Sequence, residues 1–547
     1  MHDNPDSVVI IGGGFAGVYT AKHIEKLVPV DVPIVLFSQE NHVVFTPLLG
    51  NVVGSSINPM HVVWPVRQML KRTVCRTAAV TEIDLANRLV SYRTAANRPA
   101  TQHYRHLVLA CGSVVNLDIV PGMSAHGWPL KTMGDALVLR NHLIEMLEKA
   151  QVESDPERRQ QMLSVVVVGG GFSGVEVAGE ISDLLTGSAK FYSDVPMDEV
   201  KVTLLHRGDR LLPELPESLG EFTQTKMRAC GIDVRLKTEA AAVTEHAVLL
   251  KGGEELVAAT VVCTIGNSGN PLLAKTGLPM ERGRLKVSGD FRVEGHDNVW
   301  ALGDCAAVPN AYDNKPSPPT AQFAVRQARW LAKNVARHQK GQPTELFNFK
   351  PLGAFASIGS RRAVGLAFGL RLSGFPAWFV WRGIYLSKMP TFARKLQIAF
   401  DWFWQMLFPR DIVQLTLEQT ERLGRAHYEK RQFVFHKGEM GDKLYIIEKG
   451  AVGVYLDENG PPVAILTAGE HFGEGALLSG VPRSASIMAI EPTDLLALGQ
   501  EAFGQLTRHC NIVKMAFEKG WQERKLDAAK LMEREVAAVA ARDSLHD

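Results

Sequence analysis

The sequence predicts an α/β fold over its first two-thirds and an antiparallel β-roll with flanking helices near its end. Two observations carry this prediction. A continuous apolar, β-branched run, a glycine-rich turn and a helical pattern follow one another twice, starting at Ser7 and at Ser164. Such runs are typical of parallel strands that are buried on both faces. Beyond residue 411, short apolar runs are instead separated by single glycines, as in antiparallel hairpins.

Length and composition limit the possible functions. The 547 residues are 46% apolar and 22% charged, which is typical of several globular domains. The net charge of +2 supplies no strong field for nucleic acid. The six cysteines form no CxxC pair, so we expect no metal site and no vicinal redox disulfide. The N-terminus lacks a signal segment and the longest uncharged stretches contain Pro and Gly, so we expect an intact cytosolic start and, at most, peripheral membrane association.

The first glycine turn predicts a Rossmann-like domain for a dinucleotide. In this pattern the first glycine allows a tight turn, the second lets the backbone approach a pyrophosphate, and the third packs the helix on the strand. At the end of the second strand, where an acid would normally bind ribose hydroxyls, the chain has Ser38, so either Ser38 or Glu40 must serve. The three glycines are Gly12, Gly14 and Gly17, and in both glycine turns we expect the helix to begin at the third glycine.

Three further segments resemble flavoproteins that have two dinucleotide-binding domains. In such proteins an Asp after a strand and a Gly holds the ribityl chain of the flavin, and Asp304 occupies that position. The strand around Ala110 and Gly112 is similar to the one that leaves the first domain, and the strand before Gly266 is its counterpart in the second. The resemblance implies FAD as the cofactor.

The second glycine turn, formed by Gly169, Gly171 and Gly174, predicts an inserted domain for NADH or NADPH. The strand that follows ends at His206-Arg207, with Arg210 nearby. Cations at this position favour the 2′-phosphate of NADPH, or mixed use of the two donors. Alternatively, the two arginines are solvated surface charges.

Glu176 lies one turn into the second glycine helix. This position directs it towards the nicotinamide end of the site, where it is a candidate catalytic group. The alternative is an ordinary first-turn acid that interacts with the helix dipole.

Residues 7–408 resemble the type II NADH dehydrogenases, which are single-subunit NAD(P)H:quinone oxidoreductases that do not pump protons. The resemblance rests on the segments 41–49, 130–141 and 318–327. It implies that a hydride passes from NAD(P)H to FAD and that two electrons then pass to a membrane quinone of a respiratory chain. Arg326 stands where the family has a second Gln. The positions that the family assigns to flavin or quinone are Thr46, Pro47, Ala321, Gln322 and Arg326.

The segment 371–410 combines many aromatic residues with six basic residues and one acid. Such a composition suits the headgroup region of an anionic leaflet, and the resemblance implies docking on the cytoplasmic face of the inner or plasma membrane. The alternative is a pair of core helices packed on the flavin domain. We also expect a homodimer.

Residues 411–530 resemble a cyclic nucleotide-binding domain. Arg483 would bind the cyclic phosphate, together with N–H groups of the turn that starts at Gly473. Glu474 would accept from the ribose 2′-OH, and Ser484 would add a hydroxyl contact that favours cAMP over cGMP. Alternatively, the roll is kept only for packing. A helix is predicted over Val513–Arg542.

The predicted function is an FAD-dependent NAD(P)H:quinone oxidoreductase regulated by a cyclic nucleotide. The alternatives are a soluble reductase of a small redox protein such as a ferredoxin, and a cAMP and redox sensor with little turnover. The predicted domains are 1–117 (FAD, first part), 118–285 (NAD(P)H), 286–345 (FAD, return), 346–410 (membrane docking), 411–530 (cyclic nucleotide) and 531–547 (helical tail).

Overall fold

The structure is a computed structural model that divides into two compact units, Met1–Leu415 and Thr416–Asp547. It describes residues 4–499, apart from 95–97, 352, 368, 415–423, 440, 442, 459 and 480–481. Each unit is described by itself.

The chain begins with a parallel sheet whose central strand, β1, is buried along its whole length. β1 pairs in parallel with β2 on one side and with β9 on the other, and β2 pairs with β5. The elements are β1 (Val8–Ile11), α1 (Phe15–Leu27), β2 (Ile34–Ser38), β3 (His42–Val44), α2 (Leu49–Val53), β4 (Val63–Pro65), α3 (Val66–Met69), β5 (Val74–Thr77), β6 (Val80–Asp84), β7 (Leu89–Arg93), β8 (Pro99–His103), β9 (His106–Leu109) and β10 (Ser113–Val115), with 3₁₀ helices Thr46–Leu48 and Pro59–Val62.

A second parallel sheet, of order β11-β18-β12-β13-β14, repeats this plan. The antiparallel pair of β10 and β19 joins the two sheets where the chain leaves the first and returns to it. The elements are the 3₁₀ helix Leu117–Ile119, α4 (Met123–His126), β11 (Gly127–Pro129), α5 (Met133–Val152), α6 (Pro156–Met162), β12 (Ser164–Val168), α7 (Phe172–Ala189), β13 (Lys201–Leu205), α8 (Glu217–Ala229), β14 (Ile232–Arg235), β15 (Ala240–Val243), β16 (Ala247–Leu250), β17 (Glu255–Val257), β18 (Thr260–Cys263), β19 (Asn267–Gly269) and α9 (Pro271–Ala274).

The returning chain completes the first sheet, because β22 pairs with β9 and gives the order β22-β9-β1-β2-β5. The next helix, α10, packs along α1. The elements are β20 (Met280–Glu281), β21 (Arg284–Lys286), β22 (Val299–Ala301), the 3₁₀ helix Gly303–Cys305, β23 (Ala306–Ala307), β24 (Pro309–Asn310), β25 (Lys315–Pro316) and α10 (Ala321–Gln339).

An antiparallel sheet and two helices end the first unit: β26 (Gly353–Ser357), β27 (Ala363–Ala367), β28 (Leu370–Ser373), α11 (Gly374–Lys388) and α12 (Phe392–Leu407). One face of the helix pair is core and buries Trp378, Trp381 and Trp402. The other face is exposed and apolar, so the core interpretation holds for one face, and membrane docking stays a prediction for the other. Within the described ranges, no helix has the length and apolar character needed to cross a bilayer.

The second unit contains two four-stranded antiparallel sheets, of order β29-β36-β31-β34 and β30-β35-β32-β33. Their shared core includes Phe435, Tyr445 and Leu495. The elements are β29 (Gly424–Tyr428), β30 (Phe433–Phe435), β31 (Lys443–Lys449), β32 (Ala451–Tyr455), β33 (Ala464–Thr467), β34 (His471–Phe472), α13 (Glu474–Ser479), β35 (Ser486–Ala489) and β36 (Thr493–Gly499).

The predicted fold class is confirmed, with one correction in detail. The two glycine helices were expected to start at the third glycine, but they begin earlier, at Phe15 and Phe172. The reason is that Gly14 and Gly171 are the N-cap residues, with extended backbone, so the helix follows the second glycine directly. The predicted helix Val513–Arg542 lies outside the described residues.

Candidate active site

The first glycine turn is closed on its protein side and open on the other. A Cβ at Gly12 would lie 2.1 Å from the carbonyl oxygen of Ala110, and one at Gly17 would lie 1.9 Å from that of Gly12. A Cβ at Gly14 would meet nothing within 4 Å. The open side at Gly14 is where a pyrophosphate approaches the backbone in this motif, so the turn fits the phosphates of FAD.

Ser38 lies against the middle of this turn, as expected for the residue at the end of β2. A Cβ at Gly13 would be 1.9 Å from its Oγ, and the Ser38 hydroxyl donates to the main-chain oxygen of Glu40 (2.6 Å). Ser38 also lines a pocket of about 210 Å³. No local sequence pattern predicts Arg76 in this pocket wall, because its position there depends on the guanidinium lying over the Phe37 ring (5.6 Å).

Asp304 stands in the 3₁₀ helix that directly follows β22. Gly303, with φ +73°, donates its N–H to Oε1 of Gln327 (2.9 Å), which is buried. Gln327 therefore fixes the turn that presents Asp304, a role that its position on α10 did not reveal. Ala110 is buried beside this turn, and Gly112 has φ +65° with open space where a Cβ would be.

The second glycine turn repeats the geometry of the first. A Cβ at Gly174 would lie 1.7 Å from the carbonyl oxygen of Gly169, whereas one at Gly171 would meet nothing within 4 Å. Gly266 has φ +83°, and a Cβ there would lie 2.4 Å from the carbonyl oxygen of Asn116. The turn is therefore open at the same point, where it fits the pyrophosphate of a nicotinamide dinucleotide.

His206 occupies the place at the end of β13 that Ser38 occupies at the end of β2. Its Nδ1 accepts from the Gly170 N–H (3.1 Å), and burial, with help from Arg207, lowers its pKa. His206 is therefore neutral at pH 7. Arg207 is exposed, and Arg210 donates to the main-chain oxygen of Pro213 (3.1 Å). The roles of both arginines in binding the nicotinamide donor stay predictions.

Glu176 belongs to an interior cluster that β26 and α11 complete. The Ser357 N–H donates to its Oε1 (3.2 Å), and Tyr385 lies close enough that, after burial, the charge of Glu176 raises the pKa of the Tyr385 hydroxyl. Desolvation, reinforced by Glu180, raises the pKa of Glu176 to about 8. The ring of Phe45 packs edge-on against Tyr385 (5.7 Å). This places Glu176 among side chains that come from far apart in the chain.

The residues expected near flavin and quinone surround the start of α10 and the turn after Phe45. Gln322 donates to the Gly353 oxygen (3.2 Å). Arg326 donates to the Gln322 main-chain oxygen (3.2 Å) and lies over the Phe349 ring (4.5 Å). Among the residues that the structure describes, none offers Arg326 a carboxylate, and burial lowers its pKa. Ala321 is the first residue of α10. Thr46 and Pro47 lie in the 3₁₀ helix after Phe45, where Thr46 is exposed and Pro47 is half-buried.

In the second unit, the predicted nucleotide residues meet beside α13. Arg483 is buried, donates to the oxygens of Gly473 (2.6 Å) and Lys443 (2.7 Å), and lies over the Phe435 ring (4.1 Å). Gly473 has φ +89°, and a Cβ there would lie 2.6 Å from the Arg483 guanidinium. Glu474 is buried at the start of α13, whereas Ser484 is exposed.

Comparison with known proteins matches three family models to successive parts of the chain. The family described as pyridine nucleotide-disulphide oxidoreductase matches residues 6–328, and the NDH2 C-terminal domain matches residues 352–411. A probable NADH dehydrogenase of Dictyostelium discoideum is 30% identical over 416 residues, which cover 74% of this chain and 91% of that protein. The chain belongs to the type II NADH dehydrogenase family. The cyclic nucleotide-binding domain matches residues 425–510, so this family member also carries such a domain.

Other members of the family align over similar spans. A type II NADH:quinone oxidoreductase of Mycobacterium tuberculosis is 29% identical and covers 77% of this chain and 92% of its own. A demethylphylloquinone reductase of Synechocystis is 29% identical and covers 74% and 98%. The structure of NDH2 from Plasmodium falciparum in complex with NADH superposes with a TM-score of 0.69 at 20% identity, over 75% of this chain and all of that one. Family membership supports NADH:quinone oxidoreductase activity, and the structural likeness shows the shared fold.

Proposed function

We propose that this chain is an FAD-dependent NAD(P)H:quinone oxidoreductase that docks on the cytoplasmic face of the membrane and is regulated by a cyclic nucleotide, chiefly cAMP. The observation that carries the proposal is the pair of glycine turns, open at Gly14 and Gly171, with Glu176 half-buried on the helix that follows the second turn. The deciding experiment measures the initial rates of the purified yellow protein with NADH and with NADPH, each with and without cAMP, on a soluble quinone.

The side chains around the flavin position would each do a distinct job. Bound FAD would accept a hydride from the nicotinamide and pass two electrons to the quinone. Asp304, in the turn that Gln327 holds, would bind the ribityl hydroxyls. Glu176 carries a proton on its carboxyl group up to about pH 8 and can give it to a reacting oxygen.

Gln322 and Arg326 would orient the quinone. Both lie on the first turns of α10, and the Gln322 amide and the Arg326 guanidinium are hydrogen-bond donors. Because Arg326 has no carboxylate partner among the described residues, its charge is available to a quinone oxygen that becomes negative during reduction.

The donor preference has a direct test at Arg207. We expect Arg207→Ala to raise the KM for NADPH about tenfold or more, because one charge-assisted hydrogen bond to the 2′-phosphate is lost, and to leave the KM for NADH nearly unchanged. Steady-state kinetics with both donors measure this. Lys201→Ala, at the exposed start of the same strand, is the control. Equal effects on both donors would show that Arg207 is a solvated surface charge.

Membrane docking would use the outer face of α11 and α12. This face exposes apolar side chains next to basic residues, an arrangement that suits an anionic interface. Its exposed large apolar residues include Phe375, Phe379, Phe392, Leu396, Phe400, Phe403, Trp404 and Leu407.

We expect Phe400→Ser with Phe403→Ser to weaken binding to anionic vesicles by at least about tenfold, because two aromatic side chains no longer enter the lipid. Flotation with vesicles measures binding, and the rate with a soluble quinone should persist. Phe191→Ser is the matched control, since Phe191 is 54% exposed and Phe403 is 52% exposed. A wild-type protein that stays in solution would favour the soluble reductase.

Light scattering tests the proposed homodimer.

A further inference from the structure

A buried ion network ties the end of the flavoprotein unit to α7. Nη1 of Arg410 donates to Oε2 of Glu180 (2.7 Å), and Nη2 donates to Oδ2 of Asp183 (3.2 Å). The Arg410 and Glu180 side chains are only 12% and 5% exposed. Arg410 also donates to the main-chain oxygen of Gly54. Breaking such a pair leaves an uncompensated buried charge, so the network holds its members firmly in place.

A second arginine fastens the residues that follow. Arg140 on α5 donates from Nη1 to the main-chain oxygen of Val413 (3.0 Å) and from Nη2 to that of Asp411 (3.3 Å). Its Nε donates to Oγ of Ser55 (2.7 Å), and the residue is buried. Residues 410–413 are therefore held by two arginines, immediately before the chain continues towards the cyclic nucleotide-binding domain.

The helix that receives Arg410 is the one that carries the candidate catalytic carboxyl. Glu176, Glu180 and Asp183 are spaced four and then three positions apart, which places them on one side of α7. Asn51 on α2 donates to Oε1 of Glu180 (2.7 Å). A Cβ at the neighbouring Gly50 would lie 3.7 Å from Cβ of Glu176. A shift of Arg410 would thus act on Glu176 along α7 itself and through α2.

We propose that Arg410 is a positioning residue that joins the chain leading to the cyclic nucleotide-binding domain to the helix that carries Glu176. Arg140 holds the same stretch of chain in register. Nucleotide binding would change the path of this stretch of chain. That change would move Arg410 and alter the surroundings of the Glu176 carboxyl. The inference rests on the proposed nucleotide regulation, and it assigns the residues that transmit it.

The test uses the full-length holoenzyme, with cAMP as the probe. Arg140→Met and Arg410→Met should bind cAMP with the wild-type Kd in calorimetry, while the rates with and without cAMP become equal. Arg410→Met should also move the apparent pKa in the pH profile of kcat, which a residue with only a structural role would leave in place. Arg410→Lys, which keeps the charge, should restore part of the response.

Arg72→Met is the matched control, because Arg72 also holds main-chain oxygens, those of Glu25, Val28 and Val32, none of which belongs to α7 or to residues 410–413. It should leave the response to cAMP intact. If Arg410→Met fails to fold, the response of Arg140→Met to cAMP tests the inference, since this variant leaves the pair of Arg410 and Glu180 in place. If Arg140→Met and Arg410→Met have normal FAD content and still respond to cAMP as the wild type does, the role of Arg410 is overturned, but the proposed regulation is not. Wild-type enzyme that binds cAMP with no change in rate overturns the regulation as well.

Discussion

Glu176→Gln should lower kcat about 100-fold or more and remove the ionisation near pH 8 from the pH profile. Proton transfer from a positioned side chain contributes about 10²- to 10⁴-fold to a rate, and the N–H protons of an amide are not acidic enough to be transferred. The wild-type pKa is raised to about 8 by desolvation, so the wild-type rate should fall as the pH rises through that value. The variant should show a low rate that does not change there. Stopped-flow measurements of quinone reduction across the neutral and alkaline range provide the profile.

Glu176→Gln changes the local structure little, because the Gln side-chain oxygen can still accept from the Ser357 N–H. Glu148→Gln on α5, whose carboxylate accepts from the Tyr192 hydroxyl (2.8 Å), is the control and should retain the wild-type profile. A Glu176→Gln enzyme that keeps both the rate and the ionisation would exclude Glu176 as the proton donor and favour the first-turn acid.

The pH dependence of the free energy of unfolding provides an independent test of the raised pKa of Glu176. Its pKa is raised from 4.5 to about 8 in the folded chain, so the folded state retains a proton that the unfolded state releases. The contribution of Glu176 to the free energy of unfolding is present below pH 4.5 and is lost as the pH rises to about 8. Denaturant unfolding of wild type and Glu176→Gln should therefore diverge across this window.

The glycine turns were predictable because their constraint is local. The close approaches at Gly12, Gly17 and Gly174 follow from the tight turn that the motif encodes, and β1 and β12 are buried throughout as their apolar runs require. The positions of Ser38, the last residue of β2, and of His206, the residue after β13, follow from the strands that the apolar runs predict.

The surroundings of these residues were not predictable, because they depend on contacts between distant segments. Glu176 lies next to Ser357 and Tyr385. Glu180 pairs with Arg410, which lies 230 positions further along the chain. No local pattern connects such residues. Likewise, the composition of 371–410 fits both a core and a membrane surface, and only the packing shows which face of the helices is buried.

The cyclic nucleotide site should depend most strongly on Arg483. We expect Arg483→Ala to weaken cAMP binding about 100-fold or more, because the lost guanidinium would have made charge-assisted hydrogen bonds to the phosphate in a buried site. The effect of cAMP on the rate should vanish, whereas the basal rate should stay at the wild-type value, since the residues proposed for hydride and electron transfer lie in the other unit. Calorimetry and initial rates measure the two effects.

Arg483 also holds the main-chain oxygens of Gly473 and Lys443, so loss of binding could come from loss of folding, and the design must separate the two. Glu474→Gln is the second variant: it keeps the shape of the side chain and should weaken binding, because a neutral amide oxygen is a weaker acceptor for the ribose hydroxyl than a carboxylate. Arg431→Ala, at an exposed arginine of the same unit, is the control. Variants that unfold as wild type does in circular dichroism and still bind cAMP tightly would show that the roll does not use this site for the nucleotide. Tight wild-type binding with negligible quinone turnover would instead support the sensor, because the nucleotide domain would then be intact beside an inactive redox unit.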